Sequence, residues 1–361
     1  MRAVVYHGPG DVRLEDVPAP RPGPGRLLLQ VATAGICGTD AGEYVHDPLF
    51  FPIHARHPHS GHRGPTIPGH ELSGWVTETG PGVTGFEVGD LVAVGSGVSC
   101  GNCPPCRRGD TNMCQTYWTV GLHANGGLAD QVSVPASCTL NLSGSSLTPD
   151  LAALTQPMAI AVHATRRGRV GDGDTAIVLG AGGIGSFITY AAARSGATVT
   201  AIDIDPAKLI VASRLGASRT LDASSPGFEE SLAEVEAPTV AFECTARPES
   251  LARALSLTAE NGRLVVVGHQ PQPVTVDFQL VSMGEREVIG TMAHAFALDF
   301  APAAGLIASD PEAWAAISPT VYPLDQVVES GLQPMSLGHS PQVKVLFDPS
   351  LVAPRPLRAV H

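Results

Sequence analysis

Four of the seven cysteines in this chain fall within residues 100–114, as Cys100, Cys103, Cys106 and Cys114. Thiolates spaced in this way can surround one tetrahedral ion, with Zn–S bonds of about 2.3 Å. Other chemistries fit the spacing less well. An iron–sulfur run has a shorter last gap and a proline after the final cysteine, whereas here seven residues separate the last two cysteines and Gln115 follows. A redox pair, Cys103-Pro104-Pro105-Cys106, leaves Cys100 and Cys114 without a role. Four unrelated buried thiols would make the spacing a coincidence. No nearby residue offers a base or an open coordination position, so the cluster reads as a closed, structural zinc site.

A second constellation is built from glycine. Gly180-Ala181-Gly182-Gly183-Ile184-Gly185 matches G-x-G-x-x-G. By itself such a run is only a tight turn in an α/β sheet. Here an apolar strand pattern precedes it, a helical pattern follows, and Asp203 closes the next apolar run. That context makes it a dinucleotide site. The first glycine permits the turn, the second lets backbone N–H groups approach a pyrophosphate, and the third lets helix and strand pack closely. Asp203 can accept hydrogen bonds from both ribose hydroxyls and repels a 2′-phosphate, which favours NAD over NADP. Lys208 stands where it could flank the adenosine ribose.

These groups need elements to hold them, and the two halves of the chain differ in grammar. The first 150 or so residues read as short strands between turns, among them Arg26–Val31 and Asp90–Val94, with a His- and Pro-rich loop from His46 to Pro65. Thr175–Leu179 is instead an unbroken apolar run, as expected of a strand buried on both faces. A helical stretch to about Arg194 and further apolar runs at Thr198–Ile202, Val240–Phe242, Leu264–Val267 and Val288–Ile289 follow. Strands alternating with helices predict a doubly wound parallel sheet. Beyond residue 295 the pattern becomes irregular, and the chain is expected to return to the first domain and end on the strand Val343–Phe347. The expected organisation is therefore a β-rich first domain over residues 1–154 and 295–361, and a Rossmann dinucleotide-binding domain over 155–294.

Composition narrows the class. With 361 residues, two domains are expected. Hydrophobic residues at 43% and charged residues at 16% suit a folded globular chain. A net charge of −12 opposes binding to nucleic acid or anionic membrane. No signal peptide or membrane-length apolar run is visible, so a cytoplasmic protein with reduced thiols is expected.

Gly69-His70-Glu71 opens a Gly-His-Glu-x-x-Gly-x5-Gly-x-x-Val run through Gly74, Gly80 and Val83, and upstream lies Gly35-Ile36-Cys37-Gly38-Thr39-Asp40. With these motifs the chain resembles the medium-chain, zinc-dependent alcohol dehydrogenases over nearly its whole length. It looks most like the butanediol and sorbitol dehydrogenase branch, through Glu43–Phe50 and through Gly121-Leu122-His123 leading into Gly126-Gly127. The resemblance implies a GroES-like, β-rich catalytic domain, a Rossmann domain, and an active site between them. It also implies two zinc ions per chain, NAD, a small alcohol or ketone substrate, and a homodimer or homotetramer.

Carried over by position, the resemblance makes Cys37 and His70 ligands of a catalytic zinc, Glu71 a direct or occasional ligand, and Thr39 the bridge between substrate oxygen and proton relay. In such sites zinc lowers the pKa of the alcohol hydroxyl and the coenzyme accepts the hydride. Two positions depart from the family. Gln156 stands where relatives place Glu or Cys beside the metal, so it would bring an oxygen without a charge. Gly42 stands where relatives often carry the histidine that ends the relay. His46, His54, His57, His59 and His62 are read as exposed or substrate-rimming loop residues, not as ligands. A polyol or sugar dehydrogenase is the enzymatic alternative, and a non-catalytic zinc- and NAD-binding regulator is the alternative of another class.

Overall fold

The computed structural model describes residues 1–270 and 272–360. The chain folds as two compact units, Met1–Ala159 together with the segment from His294 onward, and Ile160–Ala293. Among the described residues no helix is long and apolar enough to cross a membrane.

The first unit is built on an eight-stranded sheet. Its path runs Arg355–Pro356, Thr320–Tyr322, Val345–Phe347, Arg26–Ile36, Glu71–Thr79, Leu91–Val94, Thr139–Asn141, and Gln131–Pro135 also pairs with Arg26–Ile36. Arg26–Ile36 is the centre of this sheet, and its side chains Leu27, Leu29, Val31 and Ile36 pack with Leu72, Val92, Val94 and Phe347 in one apolar core. This position explains why the strand reads as almost continuously apolar rather than alternating: it has sheet neighbours and packed residues around it along its length. Burial of each such side chain contributes about 1.5–3 kcal/mol. At the C-terminal side, Asp150 ties the tail down. Its carboxylate accepts from Arg355 at 2.6 and 2.8 Å, from the Arg358 N–H at 2.8 Å and from the Thr33 hydroxyl at 2.7 Å.

The second unit holds a six-stranded sheet in the order Arg219–Asp222, Thr198–Asp203, Thr175–Leu179, Val240–Glu243, Arg263–Val266, Glu287–Gly290. Every pair in it is parallel. In chain order this is 3-2-1-4-5-6, the doubly wound arrangement whose strand order reverses between the first and fourth strands.

The structure differs from the sequence reading at two places. The boundary between units lies inside the helix Thr155–Arg167, because that helix contributes residues to both. Beyond residue 295 the chain is not irregular at first: Phe296–Ser309 is a helix of 14 residues with Pro302 in it. Pro302 and Gly305 mask the helical pattern in the sequence. The proline is the seventh residue of the helix, past the first turn, so its missing N–H costs the ladder one bond, to the Leu298 carbonyl.

Candidate metal and coenzyme sites

Sheet register delivers the first site. Arg26–Ile36 and Glu71–Thr79 are antiparallel with Gly35 opposite Glu71. Val345–Phe347 is antiparallel to the other edge of Arg26–Ile36 with Val345 opposite Ile36. The residues just beyond these pairs are Cys37, His70 and Lys344, so neighbouring strand ends carry all three to one end of the sheet. Gly69 turns the chain into its strand with φ +95, and a Cβ there would lie 2.9 Å from Leu128. Only glycine fits both demands.

Cys37, His70 and Glu71 each present a ligand atom, and these atoms lie within 4.8 Å of one another. His70 and Glu71 are buried, at 6% and 1% exposure. Burial raises the Cys37 thiol, but His70 and Lys344 outweigh it and hold the thiol below its ordinary range. That favours the thiolate a metal ligand must be. Burial alone would pull His70 down; the Asp40 carboxylate, with Oδ2 3.6 Å from Nδ1, and Cys37 push it up to about 9 instead. Asp40 is itself raised, chiefly by burial, and its Oδ2 accepts from the Cys37 N–H at 2.8 Å. A carboxylate behind a histidine is the arrangement that orients a ligating imidazole. Glu71 Oε1 pairs with the ammonium of Lys344, while Glu71 Oε2 is buried with no hydrogen-bond partner and His70 Nδ1 faces only the Asp40 carboxylate. An orphaned carboxylate oxygen, an oriented imidazole and a stabilised thiolate in one buried cluster suit a divalent ion.

Asp40 and Lys344 were not singled out from sequence. Asp40 lay inside the quoted motif three residues after Cys37, which is a usable signal. Lys344 is 273 residues from its partner and had none. The other expected residues occupy defined places. Thr39 is half-buried in the first turn of the helix Gly38–Val45. Gln156 is 7% exposed at the start of the helix Thr155–Arg167. At Gly42 a Cβ would meet nothing within 4 Å. In the histidine loop, His57 stacks on His123 with ring centroids 4.4 Å apart, and burial holds both below the usual imidazole range, His123 at about 4.

The four-cysteine cluster is a separate lobe. The ribbon Gly97–Val98 with Trp118–Thr119 closes its base, and the short helix Pro104–Arg107 and the turn Thr111–Met113 fill it. Cys103 Sγ lies 3.4 Å from Cys106 Sγ and 3.8 Å from Cys114 Sγ. A disulfide needs about 2.05 Å, so these thiols are not bonded. A tetrahedral zinc with bonds of about 2.3 Å sets its sulfurs roughly 3.8 Å apart, which these contacts approach. The lobe also prepares charge. Backbone N–H groups of Asn102 and Cys103 hold the Cys100 thiol down to about 6. The Cys100 N–H at 3.2 Å and the Thr116 N–H at 3.4 Å point at Cys114 Sγ. Four sulfurs within 4.8 Å of one another fit a closed thiolate site.

The glycine turn follows the strand Thr175–Leu179 and opens the helix Gly183–Arg194. A Cβ on Gly185 would lie 1.7 Å from the Gly180 carbonyl oxygen, so the close helix–strand packing requires glycine. A Cβ on Gly182 would meet nothing, so the space above the helix N-terminus is open. Gly183 and Ile184 begin that helix. Asp203 ends its strand 9% exposed, with Oδ2 accepting from the Ala181 N–H at 2.8 Å and Oδ1 4.0 Å from Lys208 Nζ. Asp203 therefore braces the glycine turn as well as offering oxygens to a ribose.

Residues 23–144 match the alcohol dehydrogenase GroES-like domain family, and residues 183–309 match the zinc-binding dehydrogenase family. The chain is 31% identical to a (R,R)-butanediol dehydrogenase of Neisseria gonorrhoeae, over 97% of this chain and 100% of the relative. It is 33% identical to a sorbitol dehydrogenase of Gallus gallus, over 79% of each. The solved structure of 2R,3R-butanediol dehydrogenase from Bacillus subtilis superposes with a TM-score of 0.88 at 29% identity, covering 97% of this chain and 99% of that one.

Proposed function

This chain belongs to the zinc-dependent medium-chain alcohol dehydrogenases, and we propose that it transfers a hydride between NAD and a small secondary alcohol or vicinal diol of the 2,3-butanediol and acetoin kind. The carrying observation is the convergence of Cys37, His70 and Glu71 at one buried sheet end. The butanediol dehydrogenase relatives favour a vicinal diol. The sorbitol dehydrogenase likeness keeps a longer polyol as the second reading. An NAD-reduction screen over 2,3-butanediol, acetoin, sorbitol, glucose and simple alcohols tests it. The diol is expected to give the highest kcat/KM, and no turnover with any of them would overturn the reading.

Cys37 and His70 would hold the catalytic zinc, with Glu71 and Gln156 as the further oxygen ligands, and Cys100, Cys103, Cys106 and Cys114 would hold the structural one. Bound there, the zinc supplies Lewis acidity to the substrate oxygen, and NAD on Gly180–Gly185 supplies the hydride acceptor. The remaining work falls to the chain. Asp40 holds the His70 ring. The Thr39 hydroxyl accepts the proton of the substrate hydroxyl and passes it outward. Gly42 puts no imidazole at the end of that path, so proton removal should limit alcohol oxidation in acid. Gly42→His has room for its Cβ. It is expected to raise kcat for oxidation several-fold below pH 7 and little above pH 9, in keeping with a positioned base of ordinary imidazole pKa. A pH profile identical to the parent's would mean another group already accepts the proton.

We propose NAD as the working coenzyme on account of Asp203. Asp203→Ser with Ile204→Arg is expected to move the NADP-to-NAD ratio of kcat/KM by at least about tenfold, the size of one charged hydrogen bond. NAD affinity should fall as well, because Ala181 loses its carboxylate partner. Equal use of both coenzymes by the parent would overturn the assignment. For assembly we propose a homodimer or homotetramer in the cytoplasm. Support for a partner copy comes from the edge strand Glu287–Gly290, which carries exposed Val288 beside exposed Met292, in the same unit as exposed Phe278 and Met283. An open apolar edge of this kind calls for cover.

A further inference from the structure

A third strand end reaches the same place as Cys37 and His70. Leu91–Val94 pairs with Glu71–Thr79 so that Val94 lies opposite Leu72. Two residues beyond, this register brings Ser96 opposite His70. Ser96 is fully buried, and its hydroxyl donates to the backbone carbonyl of His70.

The conformation of Ser96 is unusual. Its φ is +64, and the Gly97 N–H donates to the Gly95 carbonyl at 2.7 Å across it. A hydrogen bond between residues two apart, around a left-handed residue, is the rare and strained hand of the γ-turn. A serine there pays in backbone strain for something its side chain does, since glycine would take the same φ freely.

The turn is held from every side. The Gly95 N–H donates to the Cys138 carbonyl at 2.7 Å, and the Val120 N–H donates to the Ser96 carbonyl at 2.9 Å. The Nε2–H of His294 donates to the Gly95 carbonyl at 2.9 Å. A Cβ on Gly95 would lie 2.7 Å from the Phe296 ring. Immediately after Ser96 comes Gly97–Val98, the first strand of the ribbon that carries the four-cysteine lobe.

We propose that Ser96 is a positioning residue for the metal-ligating His70, and that through it the four-cysteine lobe braces the catalytic metal site. This rests on the reading of His70 as a zinc ligand. Fixing the His70 carbonyl fixes the backbone from which the imidazole projects, so the ring meets the ion without reorganising. When the hydroxyl is lost, the ligand keeps its identity but gains freedom, and the ion should leave faster.

Two variants separate this from a merely structural role. Ser96→Gly removes the hydroxyl and relieves the strain. Ser96→Thr keeps the hydroxyl and adds a branched side chain where φ is positive, which is unfavourable. Zinc-loaded parent and variants are dialysed against dipicolinate, retained zinc is measured against time, and melting temperatures are taken on the same samples. Ser96→Gly should release its first zinc about tenfold faster than the parent, with the second zinc retained and the melting temperature not lowered. Ser96→Thr should melt lower and still hold the first zinc at the parent rate. Release from Ser96→Gly at the parent rate would overturn the proposal, and so would faster release of both zincs with a lowered melting temperature. His70→Asn reports on the underlying reading separately. If it leaves the faster-released zinc in place, His70 is not its ligand and the role of Ser96 falls with it.

Discussion

Lys344→Met is expected to lower the stability of the first unit by about 3–5 kcal/mol, the cost of leaving one partner of a buried ion pair alone. Lys344 is 3% exposed and Glu71 1% at their side chains, so neither charge can turn to water. Burial pulls the Lys344 ammonium down, but Glu71 and Cys37 outweigh that and hold it above the ordinary lysine range, so it is charged. It also donates to the Ile36 carbonyl at 3.1 Å, which fixes the backbone one residue before Cys37. In the methionine variant Glu71, Cys37 and Asp40 would be left to share the His70 imidazolium as their one cation.

Zinc should change the outcome. An ion on Cys37 and His70 can serve as the missing counter-charge, so the loss should be smaller in metal-loaded protein than after chelation. Urea melts of both forms, read as a midpoint shift at constant slope, make the comparison. Adding Glu71→Leu to Lys344→Met should restore most of the stability, because the pair is then replaced by apolar groups. A single variant within about 1 kcal/mol of the parent after chelation would mean that Glu71 is not a buried anion at all.

What could be read from sequence was what is local. The glycine turn, its flanking strand and helix, and Asp203 form one supersecondary unit, so their spacing survives as a pattern in the chain. The cysteine lobe is likewise closed within residues 100–114. The catalytic cluster was legible only through its motifs. Cys37 and His70 are far apart in the chain, and their meeting depends on the register Gly35 to Glu71. Lys344 and Ser96 lay beyond reach for the same reason. Each is placed by a strand pairing, and neither sits in a motif or beside a residue type that signals chemistry. Among short-range features the miss was the helix Phe296–Ser309, where Pro302 and Gly305 argued for a loop and packing of Phe300, Ala303, Ala304 and Ile307 decided otherwise. Tertiary burial overrode local propensity there.

Cys103→Ser is expected to remove one of two zinc ions per chain and to unfold the lobe that holds it. The apolar packing of that lobe is slight. Its buried cluster is Cys103, Cys106 and Cys114 with Tyr117 packed against them, and its helix Pro104–Arg107 is a single turn. A serine hydroxyl is not ionised near neutral pH and cannot replace a thiolate ligand. The metal's binding free energy, about 10–16 kcal/mol for structural zinc in small peptides, is largely the folding free energy of such a lobe. Residues 97–119 should therefore lose amide-exchange protection and become the first site of proteolysis. The second unit, with its own core around Ile177, Ile202 and Leu264, should keep its protection. If Ser96 braces His70 as proposed, the remaining zinc should also leave faster, although no ligand of it was changed. Acid should produce the same lobe opening in the parent. Metal binding needs all four thiols ionised, so protons compete with zinc increasingly as pH falls, and zinc release should precede loss of the parallel sheet. Zinc stoichiometry with amide exchange on the variant decides the matter. Two retained ions and an unchanged lobe would show that the four cysteines do not bind metal.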